Sequence, residues 1–266
     1  MDFIQAILLA IIEGFTEFLP VSSTGHMIIA SSVMGIASDE FVKTFTVAIQ
    51  LGAILAVVAV YWKKFIDFKD YRFYLKLAIA VIPALIFGKL LNDFIDEKLG
   101  NPIFIACSLL GGGILFLFID AIFKSPVVKE EKEISLLKAL LIGCWQTIAV
   151  LIPGFSRSGA TIIGGMQQKL TRELAAEFSF FLAVPTMFAA TGYKLFKYYK
   201  TYGGFSHDQI SLLAVGNIIA FVVAIFAIKG FIGIVKKYGF RIWGYYRIVL
   251  GITVIVVDHF HPLTVF

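Results

Sequence analysis

Pro20-Val21-Ser22-Ser23-Thr24-Gly25-His26 interrupts an otherwise apolar stretch running from residue 3 to residue 35. Pro153-Gly154-Phe155-Ser156-Arg157-Ser158-Gly159-Ala160-Thr161 does the same to residues 137–169. The apolar arms beyond these breaks, Met27–Gly35 and Ile162–Met166, are too short to cross a bilayer, which takes about 20 helical residues. Broken backbone at membrane depth survives only where protein or a watery cavity satisfies its polar groups. Both stretches therefore read as re-entrant helical hairpins whose tips meet inside the protein.

The rest of the chain supports a membrane setting. Of 266 residues, 59% are hydrophobic and only 15% charged, against about 45–50% and roughly 25% in soluble domains. Six uninterrupted stretches read as full spans, at about 41–61, 75–91, 103–122, 176–194, 211–230 and 242–259. Such lengths exclude a barrel of alternating strands of about ten residues. The expected fold is an all-α polytopic integral membrane protein.

Pro20 and Pro153 stand 133 residues apart, half the chain, and the same offset pairs Ser23 with Ser156, Phe45 with Phe178 and Gly111 with Gly244. Each half, about 1–133 and 134–266, supplies one hairpin and three spans within a single transmembrane domain. An odd number of crossings turns the second half upside down, which predicts an inverted-topology repeat with its site where the broken segments converge.

The net charge of +5 comes from Lys and Arg in short loops rather than from a basic stripe, so nucleic acid is not an expected partner. Lys63, Lys64, Lys69, Arg72 and Lys76 follow the first span, Lys124, Lys129, Lys132 and Lys138 the third, and Lys229, Lys236, Lys237 and Arg241 the fifth. The opposite loops hold Lys98 beside Asp93, Asp96 and Glu97, and Lys194, Lys197 and Lys200. The positive-inside rule places the richer side in the cytoplasm and both termini outside. Met1-Asp2-Phe3 carries no basic leader. Cys107 and Cys144, alone in apolar runs, are expected to pack as small hydrophobic residues.

Polar residues inside the membrane are expensive and mark function. Glu13 and Glu17 lie four apart on one helix face. They suit a divalent metal, general-base work or a solvated neck. Ser22, Ser23 and Thr24 open one tip helix and Ser156, Arg157 and Ser158 the other. Hydroxyls there can be plain N-caps, but helix N-termini also bind phosphate, and Arg157 adds a guanidinium fork. The alternative partner for Arg157 is Glu13 or Glu17. His26, one turn after Ser23, joins the cluster; His207 and the His259-Phe260-His261 terminus are weaker candidates. Gln50 fits a supporting role or a helix-to-helix hydrogen bond, and Glu177 a helix N-terminus. Lys89 and Lys194 are expected to snorkel, and Gly111-Gly112-Gly113 to allow close helix packing.

The motif from Glu13 through Glu17 and Pro20 to His26, together with Pro153–Thr161, closely resembles the undecaprenyl-diphosphate phosphatases of the bacitracin-resistance (BacA, UppP) type. The likeness spans essentially the whole chain. It implies hydrolysis of a membrane-embedded C55 prenyl diphosphate to the monophosphate and inorganic phosphate, recycling the lipid carrier of peptidoglycan synthesis and conferring bacitracin resistance. It also implies a divalent cation, Mg²⁺ or Ca²⁺, in a bacterial cell membrane, with an active site open to the outer leaflet. A homodimer is compatible with the pattern. Under that resemblance Ser23 is the leading nucleophile, with His26 or Glu17 taking its proton and Glu13 and Glu17 holding the metal. Ser156, Arg157, Ser158 and Thr161 bind phosphate oxygens, as do Ser22 and Thr24. A phosphohistidine at His26 is the competing route. A lipid-phosphate carrier is the non-enzymatic rival, and an ion channel lined by Glu13 and Glu17 ranks last.

Overall fold

The computed structural model describes residues 1–91, 94, 98, 101–260, 262 and 263. Among the described residues, ten principal helices follow one another as two sets of five. The first set is α1 (Phe3–Thr16), α2 (Ser23–Val33), α3 (Glu40–Val60), α4 (Tyr71–Leu90) and α5 (Pro102–Ile122). The second is α6 (Leu136–Leu151), α7 (Arg157–Gln167), α8 (Arg172–Tyr202), α9 (His207–Tyr238) and α10 (Arg241–Phe260). In α3 the helical register is broken at Ile49. Six of these helices, α3–α5 and α8–α10, are long and apolar enough to cross a membrane. The protein is an all-α polytopic membrane protein.

Local chemistry sets the ends. Asp2 caps α1 in a capping box with Gln5, Asn101 precedes Pro102 at the start of α5, and Thr171 and Ser206 cap α8 and α9. The helix α8 ends at Gly203 in left-handed conformation. Both α8 and α9 run well past the apolar cores expected at 176–194 and 211–230, because caps rather than hydropathy decide where a helix stops.

Helix contacts alternate between the two sets. The first arm α1 packs on α9, its counterpart α6 packs on α4, and α5 packs on α10. Gly143 of α6 lies so close to the Ala80 carbonyl that a side chain there would overlap it, and one at Gly113 of α5 would press on Ile248 and the Gly244 carbonyl of α10. Gly112 and Gly113 thus do serve close packing, whereas Gly111 faces open space. Large apolar side chains such as Ile114, Phe118, Phe188, Phe226 and Val249 stay exposed on the outside, as lipid contact requires. Cys107 and Cys144 belong to that exposed surface rather than to the packed interior.

The three lysine-rich loops share one end of the bundle. Lys64 and Lys76 both pair with Glu131, and Asp120 pairs with Arg172 and accepts from the Phe240 N–H. Asp93, Asp96, Glu97 and His261 lie outside the described residues.

Candidate functional site

The hairpins α1–α2 and α6–α7 bring their tips together. In each, a serine stands at the N-cap of the short arm with a left-handed backbone that side chains rarely adopt: Ser22 at φ 67° and Ser156 at φ 79°. Such conformations cost on the order of 1–3 kcal/mol and persist where the surroundings fix them, commonly at functional sites. Each serine hydroxyl accepts from the N–H three residues on, Gly25 at 3.4 Å and Gly159 at 3.2 Å. The equivalent of Ser156 is therefore Ser22 and not Ser23, as the 133-residue offset suggested. The second tip carries one more residue between its proline and its cap, which shifts the register by one.

That shift makes Ser23 and Arg157 counterparts, each the first residue of its tip helix, and both reach the same carboxylate. Ser23 Oγ donates to Glu17 Oε2 at 2.5 Å, and Arg157 Nη2 donates to Glu17 Oε1 at 3.0 Å. Arg157 also donates to the Ser179 carbonyl at 2.9 Å, and its Nε–H is buried with no partner. Of its two expected carboxylates Arg157 pairs with Glu17. Glu13, one turn back in α1, is fully buried and neither of its carboxylate oxygens has a hydrogen-bond donor.

These groups border a cavity of about 280 Å³ lined by Glu17, Ser22, Ser23, Thr24, Ser156 and Arg157, together with Gln50 of α3 and Met187 of α8. Glu13, Ser158, Thr161 and His26 are not in its wall. Ser158 donates across the tips to the Leu19 carbonyl at 2.8 Å, and Thr161 donates to Ser179 Oγ at 2.6 Å, so both brace the tip helix from behind. His26 bonds the Ser22 carbonyl through Nδ1 at 2.8 Å and the Tyr246 hydroxyl through Nε2 at 2.7 Å. Glu177 sits inside α8 facing the Tyr61 hydroxyl at 3.4 Å rather than at the helix N-terminus.

Two contributors carry no motif. Asn217 of α9 accepts the Gly52 N–H at 2.7 Å, just after the break in α3 that presents Gln50 to the cavity. Arg247 of α10 is fully buried against both tips. A lone arginine inside an apolar span was the available signal for it.

The chemistry of the donor set fits a divalent cation. Glu17 lines the cavity, Glu13 stands one turn behind it, and both Glu13 oxygens are buried without donors. Among the described residues there is no group of three or more His, Cys, Asp and Glu side chains able to hold a metal. A cation there would draw its remaining ligands from water and phosphate, as Mg²⁺ commonly does.

The family model described as "Bacitracin resistance protein BacA" matches residues 6–253. The chain is 56% identical to the undecaprenyl-diphosphatase of Flavobacterium johnsoniae over 100% of both chains. It is 57% identical to that of Flavobacterium psychrophilum over 99% of each. The undecaprenyl-diphosphatase of Aquifex aeolicus is 45% identical, over 93% of this chain and 95% of its own.

Proposed function

The chain belongs to the bacitracin resistance protein BacA family, and on that premise we propose that it hydrolyses undecaprenyl diphosphate to undecaprenyl phosphate and inorganic phosphate. The observation that carries this reading is the shared carboxylate: Glu17 holds the Ser23 hydroxyl and Arg157 at once, on the wall of the cavity between the tips. A nucleophile within hydrogen-bond reach of its base, with the base oriented by a third group, is the arrangement of activated-nucleophile catalysis.

The terminal phosphate binds between the N-termini of α2 and α7. Each presents free N–H groups and about half a positive charge toward a terminal phosphate, and Arg157, shared with Glu17, adds a guanidinium fork. Arg157 itself lines the cavity, beside the two helix N-termini. Ser23 Oγ attacks the terminal phosphorus as Glu17 takes its proton. The anhydride bond breaks, and undecaprenyl phosphate leaves with the bridging oxygen. Glu17 passes that proton to the departing undecaprenyl phosphate; water then attacks the phosphoserine, giving a proton to the freed Glu17 carboxylate, which hands it to Ser23 Oγ as the P–Oγ bond breaks and inorganic phosphate departs. A divalent cation held by Glu13 and Glu17 would neutralise phosphate charge when bound. Glu17 at 2.5 Å favours itself over His26 as the base, since both His26 nitrogens are engaged elsewhere.

We also infer two inverted repeats, each supplying one tip, from the matched helix order and reciprocal packing of α1 on α9 and α6 on α4. The lysine-rich end faces the cytoplasm by the positive-inside rule, so hairpin α1–α2 enters from the outer side. The product would re-enter cell-wall synthesis as the lipid carrier, and its recycling would protect against bacitracin.

Purified protein in detergent tests the reading. An enzyme releases phosphate from undecaprenyl diphosphate with no membrane gradient, and a chelator suppresses the release. A pure lipid-phosphate carrier releases none, and that result would replace hydrolysis with transport.

A further inference from the structure

Arg247 is a buried cation whose partners are all main-chain oxygens. A guanidinium has five N–H donors, and here five carbonyls receive them. Nη1 donates to Pro20 at 3.1 Å and Phe155 at 2.8 Å, Nη2 to Ser108 and Gly154 at 3.2 Å each, and Nε to Leu109 at 3.4 Å. The side chain is fully buried, and among the described residues no carboxylate pairs with it. It lies 5.9 Å from the ring centroids of Phe116 and Phe155.

The identity of those carbonyls matters more than their number. Pro20 belongs to the first tip, Gly154 and Phe155 to the second, and Ser108 and Leu109 to α5. Carbonyls at a helix break inside a membrane have no water to turn to, so each tip needs an internal donor. One rigid fork supplies both. Ser23 follows Pro20 by three residues and Arg157 follows Phe155 by two, so the carbonyls that Arg247 fixes sit at the roots of the two groups converging on Glu17. Gly112 of α5 leaves the room: a side chain there would overlap the guanidinium.

We propose that Arg247 is a positioning residue that locks the two tips to each other and so sets the placement of Ser23 against Arg157. Its own side chain does not line the cavity, whose wall it meets only through the Gly154 carbonyl, and it acts through backbone alone. The role in turnover rests on the hydrolytic reading of the site; the role in joining the tips does not.

Two variants test it: Arg247→Lys, which keeps the charge but offers three donors in place of a five-donor fork, and Gly112→Ala, which displaces the guanidinium without removing it. Hydrogen exchange of the detergent-solubilised protein is followed at residues 17–25, at residues 152–160 and across α8 and α9. Expected in both variants is exchange about tenfold faster at both tips, with α8 and α9 unchanged. Turnover should fall about 100-fold with KM within about threefold, as misplacement of a nucleophile without loss of binding demands. Unchanged tips, loosening of one tip alone, or equally faster exchange everywhere would overturn the proposal, and so would loosened tips with normal turnover. If the wild type releases no phosphate, the hydrolytic reading fails while the exchange pattern still decides whether Arg247 joins the tips.

Discussion

Ser23 and Glu17 are joined by a hydrogen bond of 2.5 Å between Oγ and Oε2, formed across the first hairpin tip six residues apart. A hydroxyl so held has its proton directed at an acceptor before any substrate arrives. The other oxygen of Glu17 is fixed by Arg157 from the opposite tip at 3.0 Å, so the groups proposed as nucleophile, base and anion-binding residue form one hydrogen-bonded unit built from both halves of the chain.

The label should land on Ser23. Substrate labelled in its terminal phosphate, mixed with enzyme and quenched with denaturant at neutral pH, is expected to leave acid-stable label in the peptide carrying Ser23. The label should be absent in Ser23→Ala and present in His26→Ala. Acid-labile label mapping to His26 would transfer the nucleophile role to the histidine.

Arg157→Lys should lose about 100-fold or more in turnover despite keeping its charge. Lysine is a point charge that cannot span Glu17, the Ser179 carbonyl and a phosphate oxygen together. Phosphate release under saturating substrate measures this, and near-normal turnover would remove Arg157 from the site.

Much of the architecture was legible because lipid imposes a simple rule: an apolar run must be about 20 residues long to cross, and two runs visibly fail. The six crossing helices and the two broken segments follow from that alone. The site was legible as residue types, Glu17, Ser23 and Arg157 among them, because charge is costly at membrane depth. Their geometry was not. The one extra residue at the second tip made Ser22, and not Ser23, the match for Ser156, which no periodicity reveals. Ser158, Thr161 and His26 turn away from the cavity because side-chain direction on a helix of only 11 residues depends on which neighbours it meets. Arg247 lies far from both motifs in sequence, and only packing places it behind the tips.

Close helix contact should make Gly143 intolerant. A methyl group there overlaps the Ala80 carbonyl of α4, and overpacking of this kind costs about 1–3 kcal/mol. Gly143→Ala should therefore unfold in detergent at a clearly lower temperature. Gly111→Ala, whose added methyl meets nothing within 4 Å, should unfold at the wild-type temperature or above it. Equal midpoints for the two variants would contradict the packing described for α4 and α6.

Acid should erase one loop contact. Lys64 donates to Asp70 at 2.8 Å and thereby holds the Asp70 carboxyl below its ordinary value of 3.8. A depressed carboxyl stabilises the fold above its unfolded value and loses that contribution as pH falls through the folded one. Asp70→Asn should thus lower the unfolding midpoint at pH 7, by less than about 1 kcal/mol for a partly exposed pair. The difference from wild type should close as pH falls below 3.8 and through the folded value beneath it. A gap that widens in acid would show that Asp70 acts through something other than its charge.

The most direct measurement is phosphate release from undecaprenyl diphosphate in detergent by wild type beside Ser23→Ala. The expected result is steady release by the wild type and a loss of about 1,000-fold or more in the variant, as removal of a nucleophile demands. Wild-type release by Ser23→Ala would contradict the assignment of Ser23 and Glu17 as the reacting pair.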